Sequence, residues 1–192
     1  MTAGLRRAAG WMVGLGVAWV GTSAWSWQDP PEVKPTAEHE RLARDVGTWD
    51  ATIKVWTGGP ESEPEVSKGV EVNRMLPGGL WLISDFEGQF GDQKFHGHGV
   101  YGYDTRKRKF VGSWADSMSS ELLAIEGEYD PKNHTFTYRG RAHDPAGKPY
   151  ESIMVTHHKG DDTRAFSMSI KSDELGNQEV KVMEIVYQRR AQ

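Results

Sequence analysis

The chain has 192 residues, 37% of them hydrophobic and 26% charged, which suits one folded domain with a packed core. It contains no cysteine, so disulfides, thiolate metal sites and cysteine nucleophiles are excluded. The formal net charge is −4, and the only basic block is "RKRK" at 106–109. A nucleic-acid partner is therefore not expected, because phosphate binding needs a basic face.

Residues 1–24 read as a signal peptide. Arg6 and Arg7 precede the apolar run "AAGWMVGLGVAWVG", and "TSA" offers small residues for cleavage after Ala24. About 14 apolar residues fall short of the ~20 that a membrane span requires. A secreted or periplasmic location follows, without stable membrane insertion once the signal is removed. Residues 25–35, "WSWQDPPEVKP", carry three prolines and no periodicity and read as a linker. The domain proper is expected over residues 36–192.

"TAEHERLARDV" at 36–46 is the one predicted helix. Thr36 caps it, Glu38 lies in its first turn, and Leu42 and Val46 are four residues apart. His39 and Glu40 begin an H-E-x-x-H zinc motif, but Ala43 stands where the second histidine is needed, so the motif fails.

From Gly47 the pattern changes to strands. "TWDATIKVW" places Trp49, Ala51, Ile53 and Val55 on one face. Further strands are predicted near 65–76, 79–89, 94–103, 109–117, 121–129, 134–142, 150–158, 163–171 and 178–189. Turn signals such as "LPGG", "DPKN" and "DPAGKP" separate them. One helix and this many short strands predict an all-β antiparallel barrel of eight to ten strands, in which closure removes the exposed edges. "YDTRKRKF" at 103–110 and "YDPKNHTF" at 129–136 echo one another. Both read as hairpins with three-residue loops, and Asn133 is the residue suited to a left-handed position in the second.

"FHGHGVYGYD" at 95–104 contains G-x-G-x-x-G. A dinucleotide site needs a helix after that motif, and here a turn and another strand follow. As a strand, the segment points His96 and His98 to one face. A two-residue turn at Gly91-Asp92 would set Glu87 opposite His96 and Asp85 opposite His98. The next hairpin is expected to bring Trp114 and Asp116 to the same face, with Trp81, Ile83, Val100 and Phe110 as an apolar floor. The candidate ligand-binding set is thus Trp81, Asp85, Glu87, His96, His98, Val100, Phe110, Trp114 and Asp116.

Such a set lends itself to a small, partly apolar ligand. Two imidazoles beside carboxylates also allow a metal site or acid–base catalysis, which makes an enzyme the alternative. The opposite face carries Leu80, Leu82, Phe86, Phe95, Tyr101 and Tyr103. It competes for the barrel interior, and if exposed it would form a homodimer interface. Met154, Met168 and Met183 read as core filler, and His157 and His158 as rim residues. No G-x-S-x-G elbow is present. No cofactor and no catalytic residue is assigned.

"GTW" at 47–49, opening the first strand after a short helix, is similar to the G-x-W signature of lipocalin-like (calycin) barrels. With "HERLARDVGTWD", "LPGGLWLISDFEGQF", "FHGHGVYGYD", "FVGSWADSM" and "VMEIVYQR", the chain resembles the secreted bacterial family named domain of unknown function 1579 over residues 38–190. The resemblance implies a lipocalin-like barrel whose Trp closes the bottom and whose helix plugs an end. It implies no established activity. Haem-binding nitrobindin-like barrels are more distant by fold, and "TWDATIKVW" lacks their glycine pattern after the first-strand Trp.

Overall fold

A computed structural model describes residues 33–191. The proposed signal peptide and all but the last three residues of the proposed linker lie outside the described residues. Helix α1 (Ala37–Ala43) is followed by ten strands: β1 (Gly47–Val55), β2 (Glu65–Met75), β3 (Trp81–Phe90), β4 (Gln93–Asp104), β5 (Lys109–Asp116), β6 (Leu123–Asp130), β7 (Thr135–His143), β8 (Pro149–His158), β9 (Thr163–Lys171) and β10 (Glu179–Arg189). Each strand pairs antiparallel with its chain neighbours, and β1 pairs with β10, closing the barrel. Closure satisfies every edge without a covering element. Among the described residues, no helix is long and apolar enough to cross a membrane.

The helix ends at Ala43 and not at 46, since the N–H groups of Arg44 and Asp45 turn back to the Arg41 and Leu42 carbonyls. Thr36 is its N-cap, and the Thr36 N–H donates to Nδ1 of His39 at 3.0 Å. Leu42 and His39 are buried, whereas Val46 is exposed. Leu42 enters an interior cluster with Leu82, Phe110, Ile125, Phe136 and Tyr138. A second cluster joins Trp49, Ala51 and Ile53, on the predicted inner face of β1, to Phe86, Ile185 and Tyr187.

Two hairpins decide which residues look inward. Between β3 and β4 the turn is Gly91-Asp92, with Gly91 at φ 55°. Only the first turn residue takes a positive φ, which fits a type II′ turn. This gives the expected pairs Glu87↔His96 and Asp85↔His98. Between β4 and β5 the loop has four residues, with Asp104 paired to Lys109. Asp104 Oδ1 accepts the N–H groups of Arg106 and Lys107 at 2.9 and 3.1 Å, and Arg108 is left-handed at φ 55°. The loop between β6 and β7 repeats this form: Asp130 Oδ1 accepts the Lys132 N–H at 2.8 Å, and His134 has φ 51°. The two echoed segments are therefore four-residue loops, not three-residue ones, and His134 rather than Asn133 is left-handed.

A candidate ligand cavity inside the barrel

The extra loop residue moves each β5 side chain to the other face, because the pleat alternates with period two. Trp114 pairs with Gly99 and Asp116 with Gly97, so both stand on the face opposite His96 and His98. The predicted convergence of all nine residues is thereby corrected. Trp114 and Asp116 line an interior cavity, and Phe110 is packed in the core. Trp81, Asp85, Glu87, His96, His98 and Val100 share the outer face of β3 and β4.

On that outer face Nδ1 of His98 lies 2.6 Å from Asp85 Oδ1, and Nδ1 of His96 lies 3.9 Å from Glu87 Oε1. All four side chains are more than half exposed. No group of three or more His, Asp or Glu side chains among the described residues is placed to hold a metal ion. The face suggested for dimerisation is the inward one: Leu82, Phe86, Phe95 and Tyr101 line the cavity, and Tyr103 packs against the interior core.

The cavity has a volume of about 650 Å³. Toward the ends of β3 and β5 that lie away from α1, its wall is aromatic. Phe95 stacks on Trp114 with ring centres 6.5 Å apart and meets Phe90 edge-on at 4.9 Å. Gly97 makes this possible, since a Cβ there would overlap the Trp114 indole. The Trp114 Nε1–H donates to Asp116 Oδ2 at 3.0 Å. Glu121 and His143 pair at 3.0 Å at the same end, and the hydrogen bonds from His143 hold the Glu121 carboxyl below its usual range. Met154, Met168 and Met183 are cavity-lining residues rather than pure filler.

The other end is a floor of buried polar groups. Trp49 closes it, fully buried, with its Nε1–H donating to the Asp45 carbonyl at 2.9 Å. The Arg164 guanidinium lies between the Trp49 and Tyr187 rings, 4.5 and 4.3 Å from their centres. It pairs with Asp45 at 3.4 Å and with Glu71. Burial alone would lower the Arg164 pKa, but the Glu71 and Asp45 charges raise it instead. Burial likewise pushes the Asp45 carboxyl up, and Arg164 together with the His158 hydrogen bond at 2.8 Å outweighs it, leaving that carboxyl below its ordinary value. His158 is thus a buried floor residue, not a rim one. Burial raises the phenol pKa of Tyr101, Tyr138 and Tyr187, keeping all three as neutral donors. Beyond Trp49, Arg189 stacks on the indole at 4.1 Å and donates to the Arg44 carbonyl at 2.7 Å, tying the helix exit to β10.

The floor residues Asp45, Glu71, Asn73 and Arg164 are absent from the predicted set. A signal for one of them exists in the sequence. Arg164 is in phase with Phe166 and Met168 along β9. A polar residue in phase with large apolar ones on a two-residue period marks a polar group turned into the barrel.

Of two solved structures compared, the first has the same fold. The S-type phycobiliprotein lyase CPES from Guillardia theta superposes with a TM-score of 0.56 at 12% identity, over 82% of this chain and 94% of that one. A DUF3598-family protein of unknown function from Nostoc punctiforme PCC 73102 matches over 81% of this chain and 100% of that one, at 7% identity and a TM-score of 0.23. No curated protein matches the chain. The model of the family described as "Protein of unknown function (DUF1579)" matches residues 34–189.

Proposed function

Given that the chain belongs to the DUF1579 family, whose description specifies no activity, we propose its role from the barrel interior: it holds one small, partly apolar ligand. The observation that carries this reading is the cavity of about 650 Å³, walled by Leu82, Phe86, Phe95, Trp114, Tyr138 and Met154 and ending on buried polar groups. Small-molecule sites generally have this size and make-up, with mostly apolar walls and few fixed polar groups. The likeness to a phycobiliprotein lyase, at 12% identity, supports the fold; the ligand reading rests on the cavity. Export through residues 1–24 to the periplasm or the medium belongs to the same proposal and rests on the sequence pattern.

Titration of the full chain with the neutral fluorophore N-phenyl-naphthylamine tests the reading. A saturable emission rise at one fluorophore per chain is expected. Absence of saturable binding of this probe and of simple alkyl amides would refute it.

A further inference from the structure

We propose that the barrel floor is a recognition point for a neutral head group that both donates and accepts a hydrogen bond, such as a primary amide, and that it discriminates against carboxylates. This rests on the ligand reading above and names the ligand's chemistry.

The first observation is a matched pair of polar atoms without a partner among the described residues: Asn73 Oδ1 and Arg164 Nε. Both side chains are more than nine-tenths buried, and both residues line the cavity. They are held on the same atom. Glu71 Oε1 accepts from Asn73 Nδ2 at 2.6 Å and from Arg164 Nη2. A carboxylate only accepts, so the amide nitrogen of Asn73 must face it and Oδ1 must face away. The unpartnered buried atoms of the floor are therefore one acceptor, Asn73 Oδ1, and one donor, the Arg164 Nε–H. A buried polar group left unpaired is costly, and a ligand carrying both an N–H and a carbonyl satisfies the two together. Ser152 Oγ, on a residue of the cavity wall, is likewise buried without a partner.

The second observation is charge. Among the described residues, Arg164 is the only lysine or arginine lining the cavity, and Asp45 and Glu71 already neutralise it. The remaining lining carboxylates are Glu65, Asp116 and Glu121. A carboxylate ligand would be desolvated in a negative field with no free cation to meet it, whereas an uncharged amide bears neither penalty.

The test uses the full chain and competition against N-phenyl-naphthylamine at about pH 8, where a free carboxylic acid is ionised. Decanamide, decanoate and methyl decanoate share one alkyl chain. Decanamide is expected to compete at least about tenfold more tightly than decanoate, which is the scale of one unpaired buried group. It is also expected to outcompete methyl decanoate, which is more apolar but has no N–H to give Asn73. In the Asn73→Leu variant the preference of amide over ester should disappear. Decanoate binding as tightly as the amide, or the ester surpassing the amide in the wild type, overturns the proposal while leaving the ligand reading intact. If the fluorophore and all three competitors fail to bind, the ligand reading itself is lost.

Discussion

Replacing Arg164 with leucine removes the cation that Asp45 and Glu71 share inside the barrel. Both carboxylates are buried, and Arg164 itself is 6% exposed, so solvent cannot substitute for the lost charge. Breaking a buried ion pair by deleting one partner costs ~3–5 kcal/mol. Leucine also forfeits the stacking of the guanidinium between Trp49 and Tyr187. In a domain of this size such a loss lowers the melting temperature by roughly 10 °C.

The pH dependence gives the sharper test. In the wild type the folded Asp45 pKa is depressed. Its contribution is therefore present above the unfolded value of about 3.9 and lost as pH falls through the folded value. In Arg164→Leu, burial is no longer outweighed, and a buried carboxylate without a cation prefers to be protonated. The variant should recover stability on acidification over the range where the wild type holds steady. Urea unfolding followed by tryptophan fluorescence should show the gap between the two proteins widest near neutrality and narrower toward about pH 5. A loss below about 1 kcal/mol, or a gap that stays constant or widens with acid, would refute the assigned electrostatics.

Further outcomes follow from the same geometry. Gly97→Ala forces the Trp114 ring out of its position, so near-ultraviolet circular dichroism should change, with a stability loss of about 1–3 kcal/mol. His98→Ala breaks only an exposed pair with Asp85; its unfolding free energy should fall by less than about 1 kcal/mol, with fluorophore affinity within error of the wild type. N-terminal sequencing of the protein recovered after export should begin at Trp25, and retention of residues 1–24 would contradict the proposed cleavage.

The sequence told strands from helix correctly because the two signals differ in period. All ten strands coincide with predicted ones to within a few residues, and alternation alone assigned the inner face of β1. The β3–β4 register was also legible, since Gly91-Asp92 permits one compact turn. The site was not, because facing depends on loop length to a single residue. "DTRKRK" gives no local sign that Arg108 adopts a left-handed conformation and lengthens the loop to four residues. With both faces of β3 and β4 rich in apolar residues, hydrophobicity could not arbitrate: Ile83, on the outer face, is as buried as Phe86 on the inner one. The floor escaped notice for another reason. Asp45, Glu71 and Arg164 lie far apart in sequence, and only barrel closure brings them together.

A crystal structure of the full chain grown with N-phenyl-naphthylamine tests the central claim most directly. Density for the probe is expected inside the barrel, against Phe95, Trp114 and Tyr138. Density confined to the outer face of β3 and β4, beside Asp85 and His98, with an unchanged interior would contradict it.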